Sequence, residues 1–180
     1  MNRCKWLNEK NKLYVKYHDE EWGVPSYNDK YLFEMLILES FQAGLSWECI
    51  LNKRESFKKA FDNFDYAKIA NYEEEKIKEL LNDKNIIRNK LKIKAAINNA
   101  IIFQEIQKEY QTFSNYIWSF TNNKVIKNKS KTINTTSTLS DKISNDLKKR
   151  GMKFVGSTII YSYLQAIGII NDHEIDCYLY

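Results

Sequence analysis

Residues that interrupt helices are scarce in this sequence, which has five glycines and a single proline, Pro25, among 180 residues. Long uninterrupted helices are therefore easy to accommodate. Strict alternation of apolar and polar residues over strand lengths is hard to find, whereas apolar residues often recur every three or four positions. That spacing is typical of helices with one buried face. The sequence thus predicts an all-α fold.

Membrane-spanning and secretory segments are missing as well. No apolar run approaches the ~20 residues that a membrane helix needs. The segment Met1–Trp6 has no apolar stretch of the kind found in a secretory signal. The three cysteines are an odd number, which argues against a disulfide framework. We therefore expect a cytoplasmic globular protein without a membrane partner.

Net charge says little about function. The chain carries a formal charge of +5, from 28 Lys and Arg residues against 23 Asp and Glu residues. A mildly basic protein is compatible with nucleic-acid binding, and equally with a basic surface that has no specific partner. Charge alone leaves both interpretations open.

Seven helices are predicted from the apolar spacing, and their expected bounds are Asp29–Gln42, Trp47–Phe61, Glu73–Leu81, Arg88–Tyr110, Phe113–Phe120, Ser140–Lys149 and Ser157–Gly168. On the first helix we expect one buried face of Leu32, Phe33, Leu36, Ile37 and Ser40. On Arg88–Tyr110 we expect an apolar side of Leu91, Ala95, Ile97, Ile101, Ile102 and Ile106. The polar stretch Lys124–Ser137 predicts an exposed loop. No repeat or clear linker divides the chain, so residues 1–180 are expected to form a single domain, with two helical lobes as an alternative.

The two histidines each have a cysteine nearby in sequence. Cys4 precedes His18, and His173 stands four positions before Cys177, a spacing at which a helical turn or tight loop can direct both side chains to one ion. If all four met, they would form a closed, structural zinc site that joins the two ends of the chain. The alternative is that the cysteines are buried thiols and the histidines ordinary surface or core residues. Cys49 has no histidine nearby and is expected in the core.

A second feature lies between the last two predicted helices. Gly151 and Gly156 bracket a short turn, and a new apolar helix begins at Ser157. Backbone amides at a helix start favour an anion, and this one is surrounded by Lys148, Lys149, Arg150 and Lys153. The layout is that of a helix-hairpin-helix element, at about residues 140–168, which binds a DNA phosphate without reading sequence. A plain helical corner with solvated lysines is the alternative.

Two further segments are rich in aromatic and polar residues. The first contains Tyr17-His18-Asp19-Glu20-Glu21-Trp22-Gly23-Val24-Pro25, followed by Leu32-Phe33-Glu34-Met35; the second is Gln42-Ala43-Gly44-Leu45-Ser46-Trp47. Taken alone, the aromatic residues fit core packing and Glu39 a solvated helix face. Together with the Lys148–Thr158 stretch and Asn171-Asp172-His173, these motifs resemble those of the DNA-3-methyladenine glycosylase I family, and they follow one another in the same order as in that family. The resemblance runs from Arg3 to Cys177.

The resemblance implies an all-α member of the helix-hairpin-helix glycosylase superfamily, bacterial in type, that acts on double-stranded DNA containing alkylated bases. It implies one structural zinc ion per chain, with the ligands Cys4, His18, His173 and Cys177. It implies a base pocket formed by Glu39, Tyr17 and Trp47, with further lining from Trp6, Tyr14 and Trp22. The implied DNA contacts are Gly44, Leu45, Lys153, Gly156 and Ser157. A monomer is expected, in the cytoplasm and at the nucleoid when acting.

The implied chemistry is hydrolysis of the bond between base and deoxyribose, after the base has been flipped out of the duplex. Stacking on a flat side chain such as Trp47 contributes ~1–3 kcal/mol per base. Because 3-methyladenine in DNA is cationic, aromatic rings and the Glu39 carboxylate favour it over neutral adenine. Glu39 is therefore the expected catalytic residue, whereas Asp172, beside His173, is expected to be structural. No lysine is placed for a Schiff base, so a monofunctional enzyme without strand cutting is expected.

Two other classes of function remain open at this point. A DNA-binding module stabilised by zinc would use the hairpin and the Cys/His residues, but not an acidic and aromatic pocket. A zinc hydrolase would use the ion as a Lewis acid, which needs an open coordination position. Four protein ligands leave no such position.

Overall fold

The computed structural model describes residues 1–128 and 134–180. Most of these residues are helical, and the helices are α1 Lys12–Glu20, α2 Asp29–Gln42, α3 Trp47–Asn52, α4 Arg54–Ala60, α5 Tyr66–Ile69, α6 Glu74–Asn82, α7 Lys90–Tyr110, α8 Phe113–Ser119, α9 Thr138–Lys149 and α10 Ser157–Ala166. A 3-10 turn, Asp62–Phe64, follows α4. The helical class predicted from the sequence is confirmed.

Two short strands qualify the all-α prediction. β1 (Ile126–Lys127) pairs in parallel with β2 (Ile170–Asn171), with Ile126 opposite Ile170. β1 belongs to the segment 124–137 that was predicted to be an exposed loop. Both of its residues are exposed, as predicted, but they are paired. Residues 129–133 of that loop lie outside the described part of the chain.

Side-chain caps set most of the helix starts. The Asn28 side chain accepts a hydrogen bond from the amide of Tyr31 at 3.2 Å, and the Asn89 side chain accepts one from the amide of Lys92 at 3.1 Å.

The helix predicted over 47–61 is instead two helices that meet at Lys53. The Lys53 amide bonds back to the carbonyls of Ile50 and Leu51, and no glycine or proline marks this break in the sequence.

The central helix is α2, which is buried on every side. All ten residues from Leu32 to Phe41 are buried, including Glu34 and Glu39. The prediction of one buried face on this helix was therefore incomplete, because its other faces are buried as well. Helices α3, α7, α8 and α10 all pack on α2, so its polar residues lie inside the molecule.

The long helix α7 follows the prediction in part: Ala95, Ile102 and Ile106 are buried as expected, and Ile97 is half-buried. Leu91 and Ile101, expected on the buried side, are 71% and 44% exposed. The buried side also includes Lys92 and Asn99. Apolar spacing could not predict their burial, because these two polar side chains have hydrogen-bond partners inside the molecule.

The two ends of the chain meet beside α1. The amide of Tyr178 donates to the carbonyl of Asn2 at 2.9 Å, and the amide of Lys5 donates to the Glu174 side chain at 3.0 Å. Gly168 lets the chain after α10 pass close to the backbone at Val24. Its φ is +74°, and a Cβ there would stand 2.1 Å from the carbonyl carbon of Val24. Within the described residues, none of the helices has the length and apolar character to cross a membrane.

Candidate active site

A cavity of about 910 Å³ opens between α1, α2, α3, α10, the two chain ends and the residues Asn128, Asn134 and Thr135. Its walls include all six side chains that the sequence predicted for a base pocket, namely Trp6, Tyr14, Tyr17, Trp22, Glu39 and Trp47. Tyr14 and Tyr17 reach it together because they are three positions apart on one face of α1. Glu39 reaches it from the last turn of α2, and Trp47 from the first turn of α3.

Glu39 is the buried acid of this cavity. Its side chain is 3% exposed, and among the described residues its Oε2 atom has no hydrogen-bond partner. Burial raises the pKa of Glu39 to about 8, because the charged form loses its hydration. The group therefore titrates near neutral pH and presents an unused acceptor to the cavity.

Aromatic rings surround this acid. The ring of Tyr17 lies 5.2 Å from that of Trp47, and the ring of Trp6 lies 5.4 Å from Tyr14 and 4.8 Å from Trp22. The indole Nε1 of Trp47 is buried, with no acceptor in the described part of the chain. Flat apolar walls with a spare acceptor on Glu39 and a spare donor on Trp47 suit a flat, nitrogen-rich ligand.

Asp172 forms part of the opposite wall. Its Oδ2 atom accepts hydrogen bonds from the Tyr161 hydroxyl at 2.8 Å and from Gln165 Nε2 at 2.6 Å. These bonds tie the segment before His173 to α10, in keeping with the structural role expected for Asp172. Its Oδ1 atom is buried and lacks a partner among the residues described. Lys5, which is exposed, also lines the cavity.

Three of the four predicted metal ligands form a compact buried cluster. The ligand atoms of Cys4, His18 and Cys177 all lie within 4.8 Å of one another, and Cys177 Sγ is 3.6 Å from His18 Nε2. His173 lies beside this group, with its ring 5.1 Å from that of His18. Its Nε2 atom is buried and has no partner in the described chain. Cys49 is outside the cluster and half-buried, so its predicted place in the core was wrong.

The chemistry of these four side chains fits a soft divalent cation. Burial raises the pKa of the Cys4 thiol to about 12 and lowers the pKa of His173 to about 4, so without a cation these two groups are neutral at pH 7. The outer ring nitrogens are anchored: His18 Nδ1 lies 2.8 Å from Asp19 Oδ1, and His173 Nδ1 lies 2.9 Å from Asn171 Oδ1. Such anchoring orients histidine ligands, and two sulfurs with two imidazoles are a common zinc set.

The segment 150–156, which we call the α9–α10 hairpin, has its carbonyls turned toward the protein. The carbonyls of Lys153, Phe154 and Val155 accept hydrogen bonds from Asn99, Ser40 and Ser144. In a trans peptide the N–H points opposite to the C=O. The amides of residues 154, 155 and 156 therefore point outward, and none of them donates to an acceptor in the described chain.

The predicted contact residues of the α9–α10 hairpin differ in their surroundings. Lys153 is exposed, and a Cβ added to Gly156 would meet nothing within 4 Å, so the fold itself does not require glycine there. Ser157 Oγ lies 2.8 Å from Ser140 Oγ. Arg150 is not free to bind an anion, because its guanidinium pairs with Asp146 at 2.8 Å and Glu109 at 2.6 Å.

The segment 43–46, which we call the α2–α3 turn, carries Gly44 and Leu45. Gly44 has a φ of +82°, a conformation that favours glycine. Leu45 follows it and is 41% exposed, an apolar side chain held outside the core. The turn directly follows the helix that supplies Glu39 and precedes the helix that supplies Trp47.

A sequence model of the family described as methyladenine glycosylase matches residues 6–180 of this chain. The chain belongs to the methyladenine glycosylase family. The match covers nearly the whole chain and confirms the resemblance that the motifs indicated.

Relatives and solved structures agree with this assignment. DNA-3-methyladenine glycosylase 1 of Escherichia coli (strain K12) is 44% identical over 183 residues, which cover 100% of this chain and 97% of that protein. The DNA-3-methyladenine glycosylase of Haemophilus influenzae is 40% identical, with 97% of this chain and 96% of that protein covered. A structure addressing 3-methyladenine recognition by 3-methyladenine DNA glycosylase I from Staphylococcus aureus matches with a TM-score of 0.94 at 36% identity, covering 99% of this chain and 96% of that one.

Several residues around the site of this methyladenine glycosylase were not found from the sequence. Gln42, Tyr161 and Gln165 line the cavity, and Lys92 and Asn99 hold the segments beside it. Gln42 was readable, because it lies within the Gln-Ala-Gly-Leu-Ser-Trp motif. The other four stand in apolar helical stretches, where only the tertiary contacts reveal them.

Proposed function

We propose that this chain is a monofunctional base-excision repair enzyme that hydrolyses the N-glycosidic bond of 3-methyladenine in alkylated double-stranded DNA. The observation that carries the proposal is Glu39, whose buried and unpaired carboxyl oxygen faces a cavity walled by Tyr17 and Trp47. The names of the relatives support the same substrate. The cavity requires the base to leave the duplex, as in other enzymes that act on a flipped base.

Selectivity follows from charge in a desolvated site. The methylated base carries a positive charge in DNA, and the Glu39 carboxylate offsets it while accepting a hydrogen bond from the exocyclic amine. Trp47 stacks on the flat base, and Tyr17 contacts a second edge. Trp6, Tyr14 and Trp22 complete the electron-rich lining, which favours a cation over neutral adenine. Undamaged adenine has the same exocyclic amine and flat ring but no positive charge, so it gains neither the charge offset by Glu39 nor the cation–π attraction, and it is left in the duplex.

The chemical step needs little acid catalysis. When the N-glycosidic bond breaks, its electron pair goes to the base, so the cationic base leaves neutral and the sugar becomes an oxocarbenium ion. Water adds to the sugar and loses a proton, which completes hydrolysis. Lys5 is exposed at the cavity wall rather than buried beside the base. We assign it no role as a nucleophile, and no strand cleavage follows.

Two surface segments are proposed to hold the DNA. The outward amides of the α9–α10 hairpin, with Lys153, Gly156 and Ser157, bind a backbone phosphate without reading sequence. The exposed Leu45 of the α2–α3 turn, made possible by Gly44, enters the gap that the flipped base leaves. Apolar side chains are commonly used as such wedges between base pairs.

We further propose that Cys4, His18, His173 and Cys177 hold one zinc ion. The buried and unpartnered Nε2 of His173 beside the other three ligands supports this set. When bound, zinc would supply a crosslink between the two chain ends and no catalysis, since four protein ligands leave no open position. We also propose that residues 1–180 act as a single domain and as a monomer on DNA.

The test is the release of bases from DNA treated with a simple methylating agent. The wild-type protein is expected to release 3-methyladenine and not 7-methylguanine, and Glu39→Gln is expected to release 3-methyladenine much more slowly. Borohydride should trap no covalent complex between the protein and DNA. A folded wild-type protein that binds duplex but releases no 3-methyladenine would instead support a DNA-binding module without enzymatic activity.

A further inference from the structure

Two polar side chains are buried on one face of α7, away from the cavity. Lys92 is 7% exposed and Asn99 is fully buried. They are seven residues apart, which is about two helical turns or about 10.5 Å along the helix axis. Neither lines the cavity, so the proposed base recognition does not account for them. Their hydrogen bonds go to the two segments that are proposed to hold DNA.

Lys92 fixes the α2–α3 turn. Its ammonium donates to the carbonyl oxygens of Phe41 at 2.8 Å and Ala43 at 2.6 Å. Carbonyls at the end of a helix lack intrahelical partners and lie at the negative end of its dipole, so a cation there is favourable. Burial lowers the pKa of Lys92, which means that keeping its charge inside the protein costs free energy. The Ala43 carbonyl immediately precedes Gly44 and Leu45.

Asn99 fixes the α9–α10 hairpin. Its Nδ2 donates to the carbonyl of Lys153 at 2.9 Å, and its Oδ1 accepts from the amide of Lys153 at 2.9 Å. The neighbouring Asn98 donates to the carbonyl of Gly151 at 2.9 Å. Because the Lys153 carbonyl is held inward, the amide of Phe154 in the same peptide unit points outward. Asn99 thus sets the direction of the first outward amide of the hairpin, that of Phe154.

We propose that Lys92 and Asn99 are positioning residues, which hold the α2–α3 turn and the α9–α10 hairpin at one fixed separation for a DNA duplex. The inference rests on the proposed function, because it takes these two segments as the DNA contacts. The Leu45 wedge and the phosphate site of the α9–α10 hairpin contact the same duplex, so the distance between them must match the geometry of that duplex. Holding both on one rigid helix removes the entropy cost of ordering them when DNA binds.

The proposal separates DNA binding from base binding. The cavity walls come from α1, α2, α3, α10, the chain ends and the residues Asn128, Asn134 and Thr135, and α7 supplies none of the residues that line it. The α9–α10 hairpin supplies none either, so loosening it through Asn99 is expected to weaken duplex binding while leaving the affinity for the free base almost unchanged. Lys92 holds the carbonyls on either side of Gln42, which lines the cavity, so its loss is expected to weaken duplex binding more than binding of the free base.

The experiment compares Lys92→Met and Asn99→Leu with the wild type and with Lys94→Met. Lys94 is the matched control, since it is exposed on another face of α7 and pairs at the surface with Glu74. Two affinities are measured for each protein: for free 3-methyladenine, by tryptophan fluorescence, and for a duplex with a stable abasic analogue. If Asn99→Leu does not fold, Asn98→Ala removes a half-buried tie to the same hairpin and replaces it.

Each variant at Lys92 or Asn99 is expected to lose at least about tenfold in duplex affinity, or about 1.4 kcal/mol. For the free base we expect a change below about twofold in Asn99→Leu, and in Lys92→Met a loss clearly smaller than its loss for the duplex. Lys94→Met should match the wild type in both. Unchanged duplex affinity, or a parallel loss of both affinities, would overturn the positioning role. Failure of the wild type to bind free 3-methyladenine would count against the proposed function itself.

Discussion

The indole of Trp22 packs edge-on against the imidazole of His173, with 4.7 Å between the ring centroids. Trp22 also stacks on His18 at 6.2 Å and contacts Trp6 at 4.8 Å. The cavity and the Cys/His cluster therefore share a wall. A change that orders His18 and His173 is therefore expected to order Trp22 in the cavity wall as well.

Metal removal is expected to affect both stability and base binding. A crosslink between segments as distant in sequence as Cys4 and Cys177 stabilises by roughly 4–5 kcal/mol, by analogy with long disulfide loops. Chelation should therefore lower the melting temperature and weaken binding of free 3-methyladenine through Trp22. The measurement is thermal unfolding and fluorescence titration before and after chelation, with zinc added back. A protein that contains no zinc as purified, or is unchanged by chelation, would contradict the site.

Ionisation of the buried Glu39 carboxyl is expected to lower the free energy of unfolding as the pH rises. Its pKa is about 8 in the folded protein against 4.5 for an exposed glutamate, so the folded state binds this proton more tightly than the unfolded state. The stability it confers is complete below pH 4.5 and is lost as pH rises through about 8, by up to about 5 kcal/mol. Glu39→Gln should therefore be the more stable protein at pH 8, by a margin that shrinks toward pH 5, as measured by urea unfolding. A margin independent of pH would contradict the raised pKa.

Leu45→Ala is expected to weaken action on DNA without weakening the fold. Because Leu45 is 41% exposed, its truncation should change the free energy of unfolding by about 0.5 kcal/mol or less. Excision from duplex DNA should slow, because the gap left by the flipped base is no longer filled. Leu91→Ala, at a leucine that is 71% exposed on α7, is the control. Equal excision rates for the two variants would remove Leu45 from the DNA interface.

Gly156→Ala is expected to lower the affinity for duplex DNA with little effect on stability. Gly156 is the N-cap of α10 with a φ of −62°, and a Cβ there meets no protein atom within 4 Å. The preference of an N-cap for glycine over alanine opposes the lower entropy of the unfolded chain, so the free energy of unfolding should change by less than about 1 kcal/mol. Duplex affinity should nevertheless fall, because the new methyl group would stand where a phosphate approaches the hairpin amides. Unfolding and duplex titration of the same variant provide the check. A variant with undiminished duplex affinity would place the phosphate elsewhere.

The sequence predicted the helical class and most helix positions, because caps and apolar spacing are local signals. The spacing of Cys4, His18, His173 and Cys177 left a zinc site and buried thiols both open, and only the family resemblance implied all four as ligands. The structure brings Cys4, His18 and Cys177 within 4.8 Å of one another, with His173 beside them. On α7 the prediction from the sequence missed the burial of Lys92 and Asn99, because their hydrogen-bond partners become apparent only in the tertiary structure. Similarly, Tyr161 and Gln165 reach the cavity through the packing of α10, which no local pattern records.

The central claim is that the Glu39 carboxylate selects a cationic base, and the pH dependence of kcat/KM for 3-methyladenine excision tests it most directly. Values of kcat/KM report ionisations of the free enzyme, and the pKa of Glu39 there is about 8. For the wild type we predict that kcat/KM rises with pH through about 8 and then levels off, whereas Glu39→Gln stays low and flat over the same range. If the variant kept the wild-type rise, another group would carry the pH dependence, and Glu39 would not be the selecting charge.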